Sequence, residues 1–539
     1  MLTQFYLKKF NALYFFVFVL SLLILSPFLS IFISLFGEVT EYFFIIKDRL
    51  FELYLFNTII LVVCVVFITF ILGTFSAFLV SFYEFPGCRF FKWALILSFA
   101  VPSYIYGYAF TAFFENYGTA YSIVSFFHNS ESVNTYIPKF NGMVGAIISL
   151  SFSLYVYVYI FSRSTFTNQS SEIIETSRIF GLSTGSFFLK VLIPLSRPAI
   201  ITGLSLVAME TLSDFGTVYF FNIPTFTTAI YDSWMGFDDT TTANLLSAFL
   251  LIIILIFFTT EKFSRKKSSY YDRKLSNKNL KKNINLHGWT SFFAFSFCFL
   301  LFFLSFIFPF LQMLYWSFKF PEYFFIYNFF ELNLNLIQLI FLSLTLIILV
   351  SFFVNYALRI LNSNFLNSVS SLSIIGYAVP GLIISIALMS FLSFTSDYFN
   401  VNLRNAFIGS ITGLVLGYFL RFYSVSFLGI QSNYLKIDKK VDESSYLLGF
   451  SKFKTFRLIH LPYFKKPTLL ISILLVIEII KELPITLVMR PFNFETFATK
   501  AYSFASQDLL EATAVPSLSI IVWATIFIIF TFKFSDSDK

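Results

Sequence analysis

The chain has 539 residues, of which 57% are hydrophobic and 12% charged, with a mean hydropathy of +0.79. Such a composition leaves little room for water-soluble domains and places most of the chain in a bilayer. The formal charge of +8 comes without any basic-aromatic module, so no nucleic-acid partner is expected, and the excess Lys and Arg belong in loops on the cytosolic side of a membrane.

Apolar windows of about 20 residues, the length of a helix that crosses hydrocarbon, lie at 11–36, 53–82, 93–114, 142–162, 199–220 and 243–260. A second series lies at 290–317, 334–358, 370–394, 406–430, 468–488 and 513–532. The expectation is an all-α polytopic membrane protein of about twelve transmembrane helices, because a β-barrel would show short alternating segments instead. Lys8 and Lys9 precede the first window as they would in a signal peptide. That window is too long for a cleavable segment and lacks a small-x-small site, so it reads as a retained helix.

Between the two series runs a basic linker, 261–289, with Lys262, Arg265, Lys266, Lys267, Arg273, Lys274, Lys278, Lys281 and Lys282. It reads as a solvated tether near anionic lipid head groups, dividing the chain into halves at 1–260 and 290–539. With both termini cytosolic, most of the 37 Lys and Arg fall inside, as the positive-inside rule requires. The cysteines Cys64, Cys88 and Cys298 form no disulfide or zinc pattern, and His128, His287 and His460 read as ordinary loop residues.

A loop on the cytosolic side occurs in both halves, within 163–198 and 431–467. Residues 172–198 read EIIETSRIFGLSTGSFFLKVLIPLSRP and residues 440–467 read KVDESSYLLGFSKFKTFRLIHLPYFKKP. Glu175, Gly181 and Pro194 in the first correspond to Glu443, Gly449 and Pro462 in the second, since 443−175, 449−181 and 462−194 all equal 268. A constant offset marks a duplicated half. Each loop predicts a short helix with acidic residues early (Glu172 and Glu175; Asp442 and Glu443), as the helix dipole favours. The glycine then allows a turn, and the proline is expected to stop the next helix as the chain re-enters the membrane. Such a helix–turn–helix on the membrane surface suits a partner's groove.

The window after each loop carries charge. The first has Glu210 and Asp214; the second has Glu478, Lys481 and Glu482, with 478−210 and 482−214 again 268. Each acidic pair is spaced i,i+4 and is expected on one helical face, so two such faces would meet at a pseudo-twofold axis. Two roles stand open: lining or gating a pathway, or holding the halves together with Lys481 as a counter-ion across the interface. Lys481 is the one mid-membrane cation in this reading, with Ser213 at its repeat position.

The duplicated loop resembles the E-A-A-x3-G-x9-I-x-L-P coupling motif of ABC-importer permeases. Thr176, Ser177, Ser444 and Ser445 stand where that motif has alanines, Val191 replaces its isoleucine and Ile193 its leucine. KELPITLVMRPFNFETFATKAY at 481–502, METLSDFGTV at 209–218, VPSYIYGYAF at 101–110 and GYAVPGLIISIAL at 376–388 resemble fused permeases of ferric-iron importers. The resemblance implies a type I importer fold of two parallel six-helix repeats and alternating access in the bacterial inner membrane. It also implies a periplasmic binding protein and two copies of an ABC ATPase subunit as partners. Permeases for 2-aminoethylphosphonate, thiamine or polyamine share parts of these motifs and remain alternatives, with a secondary transporter as a remote one.

No G-x-x-x-x-G-K-[ST] loop occurs in the chain, so it is expected to be non-catalytic and to bind no cofactor, with ATP and Mg on the separate ATPase. Ferric ion prefers hard oxygen ligands, which Glu210, Asp214, Glu478 and Glu482 supply. No dense metal-ligating motif is present, so these carboxylates are expected to guide cargo rather than trap it.

Overall fold

A computed structural model describes the chain except for residues 1, 38, 117, 127–136, 168–176, 178, 267–283, 326–327 and 537–539. Most of the basic linker therefore lies outside the described residues. The first half contains α1 (Leu2–Ser34), α2 (Phe51–Phe82), α3 (Ser103–Phe114), α4 (Gly142–Thr167), α5 (Arg197–Ser213) and α6 (Thr240–Lys266). The second contains α7 (Gly288–Lys319), α8 (Phe329–Leu361), α9 (Gly381–Phe399), α10 (Ile411–Tyr434), α11 (Leu461–Lys481) and α12 (Ala514–Asp536). The chain is thus an all-α polytopic membrane protein. Its long helices turn apolar side chains such as Phe67, Phe341 and Leu349 outward, where lipid replaces water as solvent.

The twelve windows do not all become straight helices. Among the described residues, nine helices are long and apolar enough to cross a membrane, or eleven if each of two bent pairs counts as one span. The remaining one, α11, holds Lys465, Lys466, Glu478 and Lys481 within its 21 residues. The windows at 93–114 and 370–394 are broken at matching places. A 3-10 turn (Leu97–Ala100 or Ser373–Ala378) is followed by an extended valine, Val101 or Val379, then Pro102 or Pro380 and a fresh helix. The cause is steric, because the residue before proline is pushed out of the α region.

The repeat is visible in the packing. Helices α2, α4 and α5 pack on one another in the first half, as α8, α10 and α11 do in the second. Small residues permit the close approach: a Cβ at Gly73 would lie 2.6 Å from the Cβ of Val158, and one at Gly203 2.9 Å from its Cα. The leading helix of each half crosses over. Helix α1 packs on α9, with Ser30 Oγ donating to the Ala387 carbonyl at 3.2 Å, and α7 packs on α3. Gln312 on α7 donates to Thr119 Oγ1 at 2.9 Å, and Tyr106 donates to the Ser305 carbonyl. These exchanged arms bind the halves into one core. A two-residue parallel pairing of β1 (Tyr83–Glu84) with β2 (Ile284–Asn285) ties the linker's end to the α2–α3 connection.

Candidate functional site: two duplicated turns and a central charged cavity

At one end of the bundle lie the duplicated turns. Gly181 (φ +68°) and Gly449 (φ +80°) are both left-handed, the conformation that ends a helix cheaply only at glycine. The N–H of Leu182 bonds the Ser177 carbonyl and that of Phe450 the Ser445 carbonyl, each at 3.1 Å, so the same closing bond recurs 268 residues on. Ser183 and Ser451 then cap the next short helix, accepting from the N–H of Ser186 and Lys454 at 3.3 Å. The sequence reading passed over these two serines, although Ser two places after a C-terminal glycine is a visible start signal.

The turns also present matched apolar knobs. Ile179 and Phe180 are 84% and 78% exposed; Leu447 and Leu448, at the same repeat positions, are 89% and 75% exposed. Glu443 is exposed on the helix Lys439–Leu447, while Glu175 lies outside the described residues.

Pro194 and Pro462 do not stop helices. Each follows a π turn (Phe188–Leu192 or Phe456–His460) and occupies the first turn of the following helix, where a missing N–H leaves no bond unmade. The first half then bends by 77° between Leu195 and Arg197, whereas α11 continues from Leu461 to Lys481.

His460 is not an ordinary loop residue. It is buried and its Nε2 lies 2.8 Å from Asp442 Oδ1, while Arg359 Nε at the end of α8 lies 2.6 Å from Asp442 Oδ2. Arg359 also donates to the Tyr434 and Ile437 carbonyls, so it locks the helix Lys439–Leu447 to α8 and α10. Burial pushes the His460 imidazole below its ordinary range, with Arg359 adding to this and Asp442 opposing it. The first half has Ile174 and Leu192 at the positions of Asp442 and His460.

The intramembrane charges converge between the halves, but not as two continuous helical faces. Helix α5 ends at Ser213 and α11 at Lys481, and the next residues, Asp214 (ψ 129°) and Glu482 (ψ 119°), are extended. Their carboxylates take over backbone donors of the following turn. Asp214 accepts from the N–H of Thr217 (3.0 Å) and Val218 (3.2 Å), and Glu482 from the N–H of Ile485 (3.2 Å). A side chain that satisfies free N–H groups competes with helix continuation, which is why the i,i+4 expectation fails here. Asp214 is further held by Ser103 (2.7 Å) and the Thr217 hydroxyl (3.0 Å).

A second correction concerns cations. Lys481 is joined in the membrane by Arg421 on α10, whose Nη1 lies 3.1 and 3.2 Å from the two oxygens of Glu482 and whose Nη2 lies 3.8 Å from Glu210. Arg421, not Lys481, joins carboxylates across the interface. Lys481 pairs within its own helix with Glu478 at 3.6 Å, reaches the Phe99 carbonyl at 3.3 Å and sits 3.6 Å from the Phe99 ring centroid. The signal for Arg421 was in the sequence, as an ionisable residue inside the apolar window 406–430.

These groups line a cavity of about 100 Å³. Gly216 of the first half abuts Leu483 of the second there, since a Cβ on the glycine would stand 3.0 Å from the Leu483 side chain. Tyr104 also lines the cavity, and its hydroxyl is buried with no hydrogen-bond partner among the described residues. Next to Asp214 an aromatic cluster closes one side: the Phe215 ring is 4.6 Å from Tyr231 and 5.8 Å from Tyr502, and Tyr219 is 5.5 Å from Tyr231. Among the described residues no three His, Cys, Asp or Glu side chains are grouped to hold a metal ion. At the far end, Arg490, Glu495 and Lys500 form an ion-paired rim (3.1 and 3.0 Å) around an open cleft of about 860 Å³.

Residues 69–266 match the family described as binding-protein-dependent transport system inner membrane component. The chain is also 24% identical over 489 residues, 88% of each chain, to the Fe(3+)-transport system permease protein FbpB 2 of Haemophilus influenzae. The matched family carries the type I ABC-importer fold, and the second half repeats the first half's helices, turns and acidic pair in order. Residues 69–266 therefore resemble the inner membrane component of binding-protein-dependent transport systems, within a multi-pass membrane protein whose second half repeats the first.

Proposed function

We propose that this permease imports ferric iron, delivered by a periplasmic binding protein and driven by two copies of an ABC ATPase subunit, by alternating access. The observation that carries the ATP-driven reading is the pair of surface turns with identical closing bonds, caps and exposed apolar knobs. Two matched knobs at one end of a two-repeat bundle suit two copies of one partner. Closure of that partner would draw the turns together and rock the halves apart at the opposite face, where the cleft at Arg490 and Glu495 would receive the binding protein. The charge pattern of the loops supports an inner-membrane orientation with both termini cytoplasmic. The chain itself would hold no cofactor, and ATP and Mg would belong to the ATPase.

Iron is supported by the name of the relative and by the site's oxygen chemistry. Four carboxylates and two cations line the cavity, a formal net negative charge suited to a hard cation. The binding of Arg421 and Lys481 to carboxylates leaves neither available to grip a phosphonate. The test is uptake of radiolabelled iron in cells with and without the gene, alongside a variant carrying Phe180→Asp and Leu448→Asp. Gene-dependent iron uptake, and loss of ATPase co-purification in the variant, are expected. Gene-independent iron uptake would sink the substrate, and retained co-purification would sink the docking role.

A further inference from the structure

We propose that Arg421 is a resident counter-cation of the transport path, which occupies Glu210 when no cargo is present and yields it to an incoming multivalent cation. The inference rests on the cation-import reading above and adds to it a residue that sets specificity.

The geometry is that of a pivot. The Arg421 guanidinium is anchored on Glu482 by contacts of 3.1 and 3.2 Å but stands 3.8 Å from Glu210. Its Nε is buried with no partner among the described residues, so the group is held at one end only. Space is provided by Gly381: a Cβ there would lie 2.7 Å from Arg421 Nη1 and 2.8 Å from Glu482 Oε1. The site is thus built around the arginine.

Charge is divided unequally between the repeats. The second half contributes Glu478 and Glu482 together with Lys481 and Arg421, which sum to zero. The first contributes Glu210 and Asp214, with Ser213 and Ser153 at the positions of the two cations (481−213 and 421−153 both equal 268). Asp214 is already satisfied by four hydrogen bonds. Glu210 is left as the carboxylate whose neutralisation depends on a loose contact from the other half.

An unpaired carboxylate at this depth would be costly, and a cation bound there permanently would block the path. A tethered guanidinium resolves both. Because Glu482 retains Arg421 when it swings away, displacement exposes no unpaired arginine. A monovalent ion gains too little at Glu210 to replace the guanidinium, whereas an ion of high charge density also gains the other carboxylates that line the same cavity.

The experiment uses the purified full-length chain and terbium(III) as a hard trivalent probe, whose luminescence is sensitised by nearby tyrosines such as Tyr104 and Tyr157. Arg421→Gln with Glu482→Gln removes the anchored pair together and keeps the net charge unchanged, leaving Glu210 as the carboxylate without its counter-cation. This double variant is expected to bind terbium about tenfold more tightly than the parent, the scale of one close buried charge contact. Adding Glu210→Gln should abolish the gain. The proposal is overturned if the double variant binds no more tightly, or if the gain survives Glu210→Gln. Iron uptake in cells tests the import reading separately, so a displaceable arginine in a permease for another cation would be recognised as such.

Discussion

Ser153 and Arg421 occupy the same place in the two repeats, and both side chains line the central cavity. The serine donates to the Val101 carbonyl at 3.1 Å, a bond confined to its own half, while the arginine reaches from the second half to Glu210 of the first. Duplication thus supplied a symmetric frame, and substitution at single positions made its centre asymmetric. A symmetric centre would place four carboxylates around one axis without compensation. The asymmetric one spans the interface with a charge contact from Arg421 of the second half to Glu210 of the first.

Gly449→Val is expected to uncouple ATP hydrolysis from uptake. A β-branched residue at φ +80° is strained by about 1–3 kcal/mol, which the turn can relieve only by losing its closing bond from Phe450 to Ser445. Nothing lies within 4 Å of the missing Cβ, so the effect arises from the backbone and Gly449→Asn should be much milder. Transport-stimulated ATPase activity in proteoliposomes measures this; full coupling in the valine variant would remove the turn from the mechanism.

Lys481→Met should reduce the folded yield in the membrane, because Glu478 then loses its neighbour at 3.6 Å. Breaking a buried pair by removing one partner costs about 3–5 kcal/mol, whereas removing both is far less damaging. Yield should therefore recover in Lys481→Met with Glu478→Gln. Equal yields of the single variant and the parent, judged by size-exclusion chromatography, would show that the pair does not support folding.

Neutralising Glu210 and Glu478 together as glutamines should slow uptake about tenfold, equivalent to some 1.4 kcal/mol of lost attraction. Binding-protein docking and basal ATPase activity should persist, since neither residue reaches the surface turns. Iron retained stoichiometrically by the purified parent, and lost in this variant, would turn a guiding role into a binding site.

The second coupling helix should loosen in acid. The folded His460 titrates below its ordinary value, so the undocked state binds more protons wherever the two differ. The contribution to docking is then fully present above about pH 6.5, the ordinary histidine value, and is lost as pH falls through the folded value. Burial sets the direction, with Arg359 adding to it and Asp442 opposing it, and protonation would also bury an Nδ1–H with no acceptor among the described residues. Hydrogen exchange of residues 439–447 should rise as pH is lowered, after correction for intrinsic rates. His460→Leu, which installs the residue found at Leu192 in the first half, should flatten that dependence.

Much of the architecture was legible from local pattern. Apolar windows located the helices, since hydrocarbon thickness sets a length that composition alone reveals. The offset of 268 marked both duplicated turns, and the glycines at 181 and 449 are left-handed, a backbone conformation that strains residues with a Cβ. Tertiary structure decided what the charges do. Spacing put Glu210 with Asp214, and Glu478 with Glu482, on one helical face, but Asp214 and Glu482 each found backbone donors one turn ahead and ended the helix. Arg421 is 61 residues before Glu482 in the chain and 211 after Glu210 (482−421 = 61, 421−210 = 211); it meets Glu482 only when α10 packs against α11, and Glu210 only when the two halves come together. Likewise Asp442 and His460 become a latch only because Arg359, from the end of α8, arrives beside them. Periodicity reports how a helix faces its solvent. Which buried charges meet depends on contacts between segments far apart in the chain, and those are fixed by packing.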